Sequence, residues 1–529
     1  MTAIAQSATP ALVEALAAAL GSESVSTDPA RLDFLAHDVY GEGAPLAAAV
    51  RPTNVDALCE AVRVCSEHSA VMIPRGGGLS YTNAYLAPEA GAVLFDLGAL
   101  DRIVEVNETD RYVTVEAGVT WDALYRELEP RGLRTPYWGP LSGLYSTIGG
   151  AASQGSIFLG SSRYGTAGDA IQNLEVVVAD GSLIRTGSSA HANSSPFMRY
   201  YGPDLTGLFC NDAGALGIKA RITLRLIPAH AHRDAVSTVF DRWEDLLDAM
   251  ARVGASGIAS EAFAFDPELQ AQRMKRASVA EDVKTLANVV GKSGGLLKGM
   301  KEGAKIVAAG RNFLGEKTYS FHVCVEADSK EELKANMKRA RALIGDAGRE
   351  VENSIPTVLR AQPFTPPTVI LGPEGERWVP VHGIVPHSRG AETFAALEAL
   401  YASHRSATER LDIDVGYLMT TIAGGALLIE PVFYWPDART VYHDEVLEDA
   451  VLSRLKRFEE NPEAAALVAE LRKATVEVFR SHGGTHFQIG RTYPYGRDLE
   501  PATLALLRGI KAQLDPQGLM NPGALSIDA

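Results

Sequence analysis

Residues 74–80 read PRGGGLS and follow a short apolar run, Val71–Ile73, that has the pattern of a buried strand. Three successive glycines lack a Cβ, so consecutive backbone N–H groups can converge on an anion and form a nest. Such a turn at a strand end suits a pyrophosphate. It is neither a GxGxxG that opens a helix nor a GxxxxGK[ST] loop, so it predicts neither a nicotinamide-binding Rossmann unit nor a P-loop. Two more small-residue stretches follow. One covers 139–168 and contains STIGGAASQG (146–155) and RYGTAGD (163–169); the other is GALGI (214–218), just before a strand. Any one of them reads equally as a plain turn. The three together predict close approach of backbone to a large flat ligand.

The 529 residues correspond to about three to four domain-sized units. With 46% hydrophobic and 22% charged residues, a disordered or fibrous chain is excluded. Fifty basic residues against 65 acidic ones leave a net charge of −15, which excludes a nucleic-acid partner, because phosphate neutralisation needs clustered Lys and Arg. Cys59, Cys65, Cys210 and Cys324 form no CxxC pair and suit neither a zinc ribbon nor an iron–sulfur cluster. As free thiols they point to a reducing, cytoplasmic compartment. The N-terminal MTAIAQSATPALVEALAAALGSESV has no basic region and reads as a surface helix, not a signal peptide. No charge-free apolar run of about 18 residues occurs, so no spanning helix is expected.

Helical spacing of Leu58, Val62 and Cys65 predicts a helix within 54–70, and AVLFDL (92–97) a strand. Alternation in 102–120 predicts two strands joined at Asn107–Asp110, and 120–132 a helix capped by Thr120 and stopped at Gly132. A hairpin is expected over 174–187, turning on Asp180–Gly181. The fold class is therefore α+β. The expected division is an N-terminal helical segment (1–44), a ligand-binding domain (45–228), a second domain (229–499) with strands at 318–328, 377–388 and 426–437, and a C-terminal segment (500–529). Residues 291–317 are basic and Gly-rich; they read as a loop plus a solvated helix, with an active-site lid or peripheral contact with a membrane surface as the sharper readings.

Three glycine clusters at these separations, with LDPQGLMNPGAL at the C-terminus and WVPVHGIVPHS (377–388), resemble the vanillyl-alcohol oxidase/p-cresol methylhydroxylase flavoprotein superfamily. The resemblance covers 45–228 closely, 377–529 more loosely and 229–376 poorly. It implies a two-subdomain PCMH-type FAD-binding domain, an α+β cap domain for substrate, and a C-terminus that returns to the FAD domain. Carried over by position, Pro74, Arg75, Gly76, Gly77, Gly78, Leu79, Ser80 and Tyr81 hold the diphosphate. Pro140, Ser142, Ser146, Thr147, Gly149, Gly150, Ser153, Gly155, Tyr164 and Gly165 line the adenosine and ribityl portions. Gly217 and Ile218 cover adenine, and Asn521 approaches the isoalloxazine. Some relatives attach FAD through a histidine after the double glycine, where this chain has Leu79; others use a His or Tyr on a cap strand, where GGALLIEPVFYW has no histidine and Tyr434 late. FAD is thus expected to be non-covalent.

The reaction at a flavin needs a held substrate and one proton acceptor. The candidates are His486 in GGTHFQIGR (483–491), His382 in VHGIVPHS, and Glu430 in the apolar strand ALLIEPVFYW, where a carboxylate must be paired. His382, Glu430 and His486 are together a candidate divalent-metal set, since two imidazoles and a carboxylate suit zinc or manganese. The HxGDGNxH motif of metal-using hydroxy-acid relatives is absent. Arg491 offers a planar fork to a substrate carboxylate. A phenolic substrate is the rival, with Tyr81, Tyr137, Tyr417, Tyr434 and Tyr493 as holders of a phenolate; the Tyr–Arg pair expected near the C-terminus is not plainly present.

The expected function is FAD-dependent hydride removal from an alcohol, either a 2-hydroxy acid or a benzylic or phenolic alcohol. O2, a quinone or a cytochrome takes the electrons. The expected state is a cytoplasmic homo-oligomer or one peripheral to the inner membrane. The alternatives are a reductase using NAD(P)H on a MurB-like FAD domain, and a non-catalytic protein of the same fold.

Overall fold

The structure is a computed structural model that describes residues 2–277 and 317–528. Of the basic Gly-rich stretch, only Lys317 falls within the described residues. The chain divides into two compact units, Met1–Ser156 with Thr166–Pro228 and Phe487–Ala529, and Ile157–Gly165 with Ala229–His486. The division differs from the sequence-based bounds in three places. Residues 1–44 fold into the first unit, residues 157–165 go with the second, and residues 487–499 return to the first.

The first unit carries two main sheets. β1 (Val25–Ser26), β2 (Leu46–Val50), β3 (Met72–Arg75) and β4 (Ala92–Asp96) form one in the order β1-β2-β4-β3, with β2, β4 and β3 parallel. The helix between β2 and β3, Val55–Glu67, is capped by the Asn54 side chain and buries Leu58, Val62 and Cys65 at the predicted spacing. β5 (Ile103–Asn107) and β6 (Tyr112–Glu116) pair as predicted. A two-residue strand, β7 (Leu133–Arg134), precedes β8 (Ile171–Val177) and β9 (Leu183–Arg185), whose hairpin turns through Gly181 at φ +82°. β10 (Ile218–Arg225) completes an antiparallel sheet β5-β6-β10-β8-β9, and β11 (Ile227–Pro228) pairs with β7. The helix Trp121–Leu128 starts on Thr120, whose hydroxyl accepts from the Ala123 N–H, and its chain leaves through Gly132 in the left-handed region.

The C-terminal segment joins this unit beside β3. The Met72 N–H donates to the Leu519 carbonyl at 2.8 Å, and the Asn521 N–H to the Met72 carbonyl at 2.9 Å. Two buried ion pairs hold neighbouring loops. Lys219 is paired with Asp212, whose carboxylate also accepts the Gly214 and Leu216 N–H groups. Lys511 meets Asp515 at 2.6 Å and donates to the Ala215 and Met520 carbonyls, both at 2.8 Å. Burial still raises the Asp212 carboxyl, against the pull of Lys219.

The second unit is built on an antiparallel sheet: β12 (His232–Phe240), β13 (Ala259–Phe265), β14 (Tyr319–Ala327), β15 (Arg349–Val351), β16 (Arg377–Pro380), β17 (Gly383–Pro386), β18 (Asp414–Ile422) and β19 (Ala426–Trp435). The order is β15-β12-β14-β13-β18-β19-β16, with β17 also on β19. The predicted strand over 377–388 is broken into β16 and β17 around Val381 and His382. Helices such as Trp243–Ser256 and His387–Ser403 carry buried Leu246, Met250, Phe394 and Leu397.

Lys219→Met strands the buried Asp212 carboxylate among apolar neighbours. Urea denaturation of the flavin-loaded protein should show a loss on the order of 3–5 kcal/mol, partly recovered by Asp212→Asn in the same chain.

Candidate functional site: a dinucleotide cradle and a buried polar sheet face

β3 ends at Arg75 and the chain turns at once through Gly76–Ser80. The N–H groups of Gly76, Gly77, Leu79 and Ser80 donate to no acceptor among the described residues, although all four residues are half-buried. Backbone donors withdrawn from bulk water need a partner, and four in one turn fit an anion. The loop is held from beneath. Tyr85 donates its hydroxyl to the Gly78 carbonyl, and the buried Arg75 guanidinium lies 5.5 Å from the Phe34 ring centre and 5.4 Å from that of Tyr85. That cation sits where a Cβ on Gly78 would fall, so a fixed positive charge supports the turn.

The other two glycine clusters converge on the first. A Cβ on Gly77 would run into the Tyr145 carbonyl oxygen, and one on Gly76 into the Thr147 hydroxyl. The Ala213 N–H donates to the Ser153 carbonyl at 2.7 Å, the Asn211 N–H to that of Ala152 at 2.9 Å, and Gly214 packs on Pro74. The second cluster departs from expectation in one respect: its amides are occupied. Ile148 and Gly149 donate to the Val119 and Ala117 carbonyls at 2.8 and 2.9 Å, and Gly150 to the Thr147 hydroxyl at 3.1 Å. Ser142 and Ser146 share a hydroxyl contact of 2.6 Å. These residues offer surface without Cβ bulk; the amides without an acceptor belong to 76–80. Gly217 and Ile218 enter β10 beside Val177, with Ile218 fully buried.

Two expected ligands fall in the second unit, and the side chain of a third, Asn521, is committed within the first. Tyr164 and Gly165 fold with the second unit, where the Tyr164 hydroxyl meets His230 Nε2 at 3.3 Å. Asn521 is buried, and both hydrogens of its amide are taken, by the Ala84 and Ala213 carbonyls at 2.9 and 2.6 Å. Its Oδ1 accepts from Arg491 at 2.6 Å. Arg491 itself uses all five donors inside the first unit: on the carbonyls of Asn83 and Ala84, twice on that of Pro522, and on Asn521. Burial pulls its pKa down to about 10. The planar fork that seemed suited to a substrate carboxylate instead clamps the C-terminal segment onto the residues that follow the phosphate loop. Tyr81 stands half-buried directly after that loop.

In the second unit, His382 is fully buried between β16 and β17. The Thr485 and Ile384 N–H groups each donate to the other residue's carbonyl at 2.8 Å, which sets His486 beside it. His486 Nδ1 donates to the His382 carbonyl at 2.7 Å, so in the neutral ring the lone pair is on Nε2. The two rings are 6.5 Å apart. The expected metal set of His382, Glu430 and His486 does not assemble: among the described residues, only Asp33, His37 and Glu42 bring three ligand atoms within 4.8 Å of one another.

Glu430 lies opposite Leu418 in the β18–β19 register, and Leu418 lies opposite Phe265. Thr420, Phe263 and His322 form the row two residues along, so Glu430 and His322 share one face of the sheet. Burial pushes the Glu430 carboxyl up to about 7, opposed by the charge of Arg273. Burial, helped by the same arginine, pushes His322 down to about 3. His322 Nδ1 meets the Ser237 hydroxyl at 2.9 Å, while its buried Nε2 has no partner. The Arg273 guanidinium lies 4.3 Å from the Phe265 ring centre. Sequence reading missed His322 and Arg273; the available signal was a histidine alternating with Ser320 and Cys324 in an otherwise apolar strand.

An open cleft of about 410 Å³ in the first unit is lined by Thr114, Glu175, Arg185, Arg221 and Thr223, none of them in the glycine clusters. Glu175 is bridged by both arginines, at 3.0 and 3.2 Å, so those charges largely satisfy one another.

With a cradle of converging glycine loops around unpartnered amides in one unit and an antiparallel sheet in the other, the protein has a two-domain fold of the FAD-binding PCMH type. Residues 45–187 match the FAD binding domain family and residues 455–525 match the FAD linked oxidases, C-terminal domain. The match over residues 45–187 makes FAD the cofactor of this chain. It is 31% identical over 214 residues to the glycolate oxidase subunit GlcD of Bacillus subtilis, covering 40% of this chain and 43% of that protein. It is 30% identical over 210 residues to a probable mitochondrial D-lactate dehydrogenase of Danio rerio, covering 40% and 41%. The matches thus span about two fifths of these curated relatives. The fold is similar to that of p-cresol methylhydroxylase with substrate bound, at a TM-score of 0.74 and 18% identity over 99% of this chain and 98% of that one.

Two substitutions separate the roles of these residues. Gly77→Val drives a side chain into the Tyr145 carbonyl; the purified protein should lose its 450 nm flavin absorbance (a general flavin property) while keeping its far-ultraviolet circular dichroism. Arg491→Ala should lower stability on the order of 2–3 kcal/mol by leaving buried carbonyls without donors, visible as an earlier thermal transition.

Proposed function

We propose that the protein is an FAD-dependent oxidase or dehydrogenase that removes a hydride from the carbinol carbon of a small 2-hydroxy acid. Bound FAD supplies the hydride acceptor at its N5 atom. Gly76, Gly77, Leu79 and Ser80 hold the diphosphate through their amides, with Arg75 beneath. FAD is non-covalent: Leu79 stands where some relatives have the attaching histidine, and β19 has no histidine and only Tyr434, next to its end.

The observation that carries the catalytic reading is the Glu430 carboxyl, raised to about 7 on a sheet face shared with His322 and near the charge of Arg273. A base with a pKa near the working pH both exists deprotonated and has use for a proton. Glu430 takes the hydroxyl proton, with His486 Nε2 as the second candidate. Arg273 replaces Arg491 as the cation for the substrate carboxylate. The tyrosines favour the acid over the phenol: Tyr137 bonds Ser156 at 2.6 Å, Tyr417 bonds Glu398 at 2.7 Å, and burial raises both phenols further above neutrality. The similarity to glycolate oxidase and D-lactate dehydrogenase sequences supports the same choice. Electrons pass to O2, a quinone or a cytochrome. Cys59, Cys65, Cys210 and Cys324 are free thiols, and no described helix is long and apolar enough to cross a membrane; the free thiols support a cytoplasmic placement.

Anaerobic addition of D- and L-2-hydroxy acids should bleach the flavin, whereas 4-hydroxybenzylic alcohols and NADPH should not; bleaching only by the latter groups rejects the reading. Because the base acts deprotonated, kcat/KM should fall as pH drops through about 7, and Glu430→Gln should remove that limb while flavin content stays normal. Acid precipitation should release the flavin into the supernatant.

A further inference from the structure

The first unit contains a group of side chains that neither the FAD cradle nor the proposed chemistry uses. Helix Pro29–Leu35 ends just before His37, and an antiparallel bridge sets His37 opposite Glu42. The turn between them is fixed by its own hydrogen bonds. The Asp38 N–H donates to the Gly41 carbonyl at 3.0 Å, the Gly43 N–H to that of Ala36 at 2.8 Å, and the Asp38 carboxylate accepts the Tyr40 and Gly41 N–H groups at 2.8 and 2.6 Å.

His37 is buried, with only 7% of its surface exposed. Its Nδ1 donates to the Asp33 carbonyl at 2.8 Å, which leaves the Nε2 lone pair on the outer side of the ring. Nε2 makes no hydrogen bond; its nearest acidic neighbour is Glu42 Oε2, at 3.8 Å. The Asp33 carboxylate completes a set in which one atom each of Asp33, His37 and Glu42 lies within 4.8 Å of the others. A backbone carbonyl on Nδ1 is the arrangement that orients a ligating imidazole. A 3.8 Å gap is too long for a hydrogen bond and close to the spacing of two ligands on one ion with bonds of about 2.0–2.2 Å.

We propose that Asp33, His37 and Glu42 form a site for a divalent first-row transition ion, with Zn²⁺ or Mn²⁺ the chemistry that suits one imidazole and two carboxylates. The exposed carboxylates leave the remaining positions to water. Its ligands flank a turn that touches the phosphate loop: the Val39 N–H donates to the Ser80 carbonyl at 3.1 Å, and the Asn83 N–H donates to Asp38 at 2.9 Å. Tying the turn with a metal stiffens one wall of the cradle.

The test is calorimetric titration of the flavin-loaded protein, stripped with chelator and dialysed, with ZnCl2 alone and with MnCl2 alone. One ion should bind per chain. Glu42→Gln, at an exposed position, and His37→Ala should each weaken binding by at least about tenfold, since loss of even an outer-sphere partner costs that much. Glu89→Gln, an exposed carboxylate elsewhere in the unit, should leave binding unchanged. Unchanged flavin absorbance and circular dichroism confirm that the Glu42→Gln protein is folded. Absence of heat with either ion at millimolar concentration overturns the proposal, as does equal binding by wild-type and Glu42→Gln protein. A thermal transition that rises with Zn²⁺ in the wild type and stays fixed in Glu42→Gln supports it independently of turnover.

Discussion

Half-buried backbone N–H groups without acceptors are unfavourable in any fold, and the turn after β3 collects four of them. The conformation persists because its surroundings define it from several sides. Arg75, wedged between Phe34 and Tyr85, fills the space under Gly78; Tyr145 closes over Gly77; and Tyr85 ties down the Gly78 carbonyl. Buried charges of the first unit serve the same end. Lys219 with Asp212 shapes the 211–217 loop, Lys511 with Asp515 joins that loop to the C-terminal segment, and Arg491 locks residues 521–522 onto residues 83–84. A buried pair is weak evidence of stability by itself. Here each pair positions a loop that packs against, or directly follows, the amides of the phosphate turn, which is a reason to keep charges that a purely apolar core would avoid.

The second unit applies the same physics to the opposite purpose. Its sheet face carries Glu430 and His322 in low-dielectric surroundings, so the neutral form of each is favoured. Burial moves the two groups apart in proton affinity, raising Glu430 and lowering His322, while Arg273 lowers both by stabilising the Glu430 carboxylate and destabilising protonated His322. Groups whose environments separate them in this way can hold distinct proton-handling and hydrogen-bonding roles. Neither effect follows from residue type alone; both require strand register, which places Glu430 and His322 on one face two rows apart.

That dependence on register marks how far the sequence could be read. The PRGGGLS turn, the Thr120 and Asn54 caps, and the hairpin through Gly181 depend on neighbours within a few residues, and their chemistry is visible in the letters. The same holds for the three glycine clusters as a set, because Cβ-free positions matter wherever the chain brings them. Arg491 shows the opposite case. A planar guanidinium after a glycine serves a substrate carboxylate and a cluster of carbonyls equally well, and only the tertiary position of Asn83, Ala84 and Pro522 decides between them. Asn521 was misjudged for the same reason. The amides at 148–150 looked available in a Gly-rich segment, yet Val119 and Ala117, just past β6, accept from Ile148 and Gly149 from about thirty residues away, and the Thr147 hydroxyl accepts from Gly150.

The poise of Glu430 also sets a limit on stability. Its carboxyl has a pKa of about 7 in the fold against an ordinary value of 4.5, so the folded state favours the proton more than the unfolded chain does. The linked stability is fully present below pH 4.5 and is lost as pH rises through 7, a change on the order of 3 kcal/mol. Asp266 behaves alike: buried, and accepting the Tyr417 and Leu269 N–H groups at 2.7 and 2.9 Å, it too is raised to about 7. Both losses fall in the pH range where a base of this strength becomes useful. A carboxylate at Glu430 is thus held at neutral pH against the preference of its own sheet. Arg273, the cation whose charge opposes that preference, lies on the helix Pro267–Ala277, so the chain that leaves β13 past Phe265 brings in that charge within the next two or three turns.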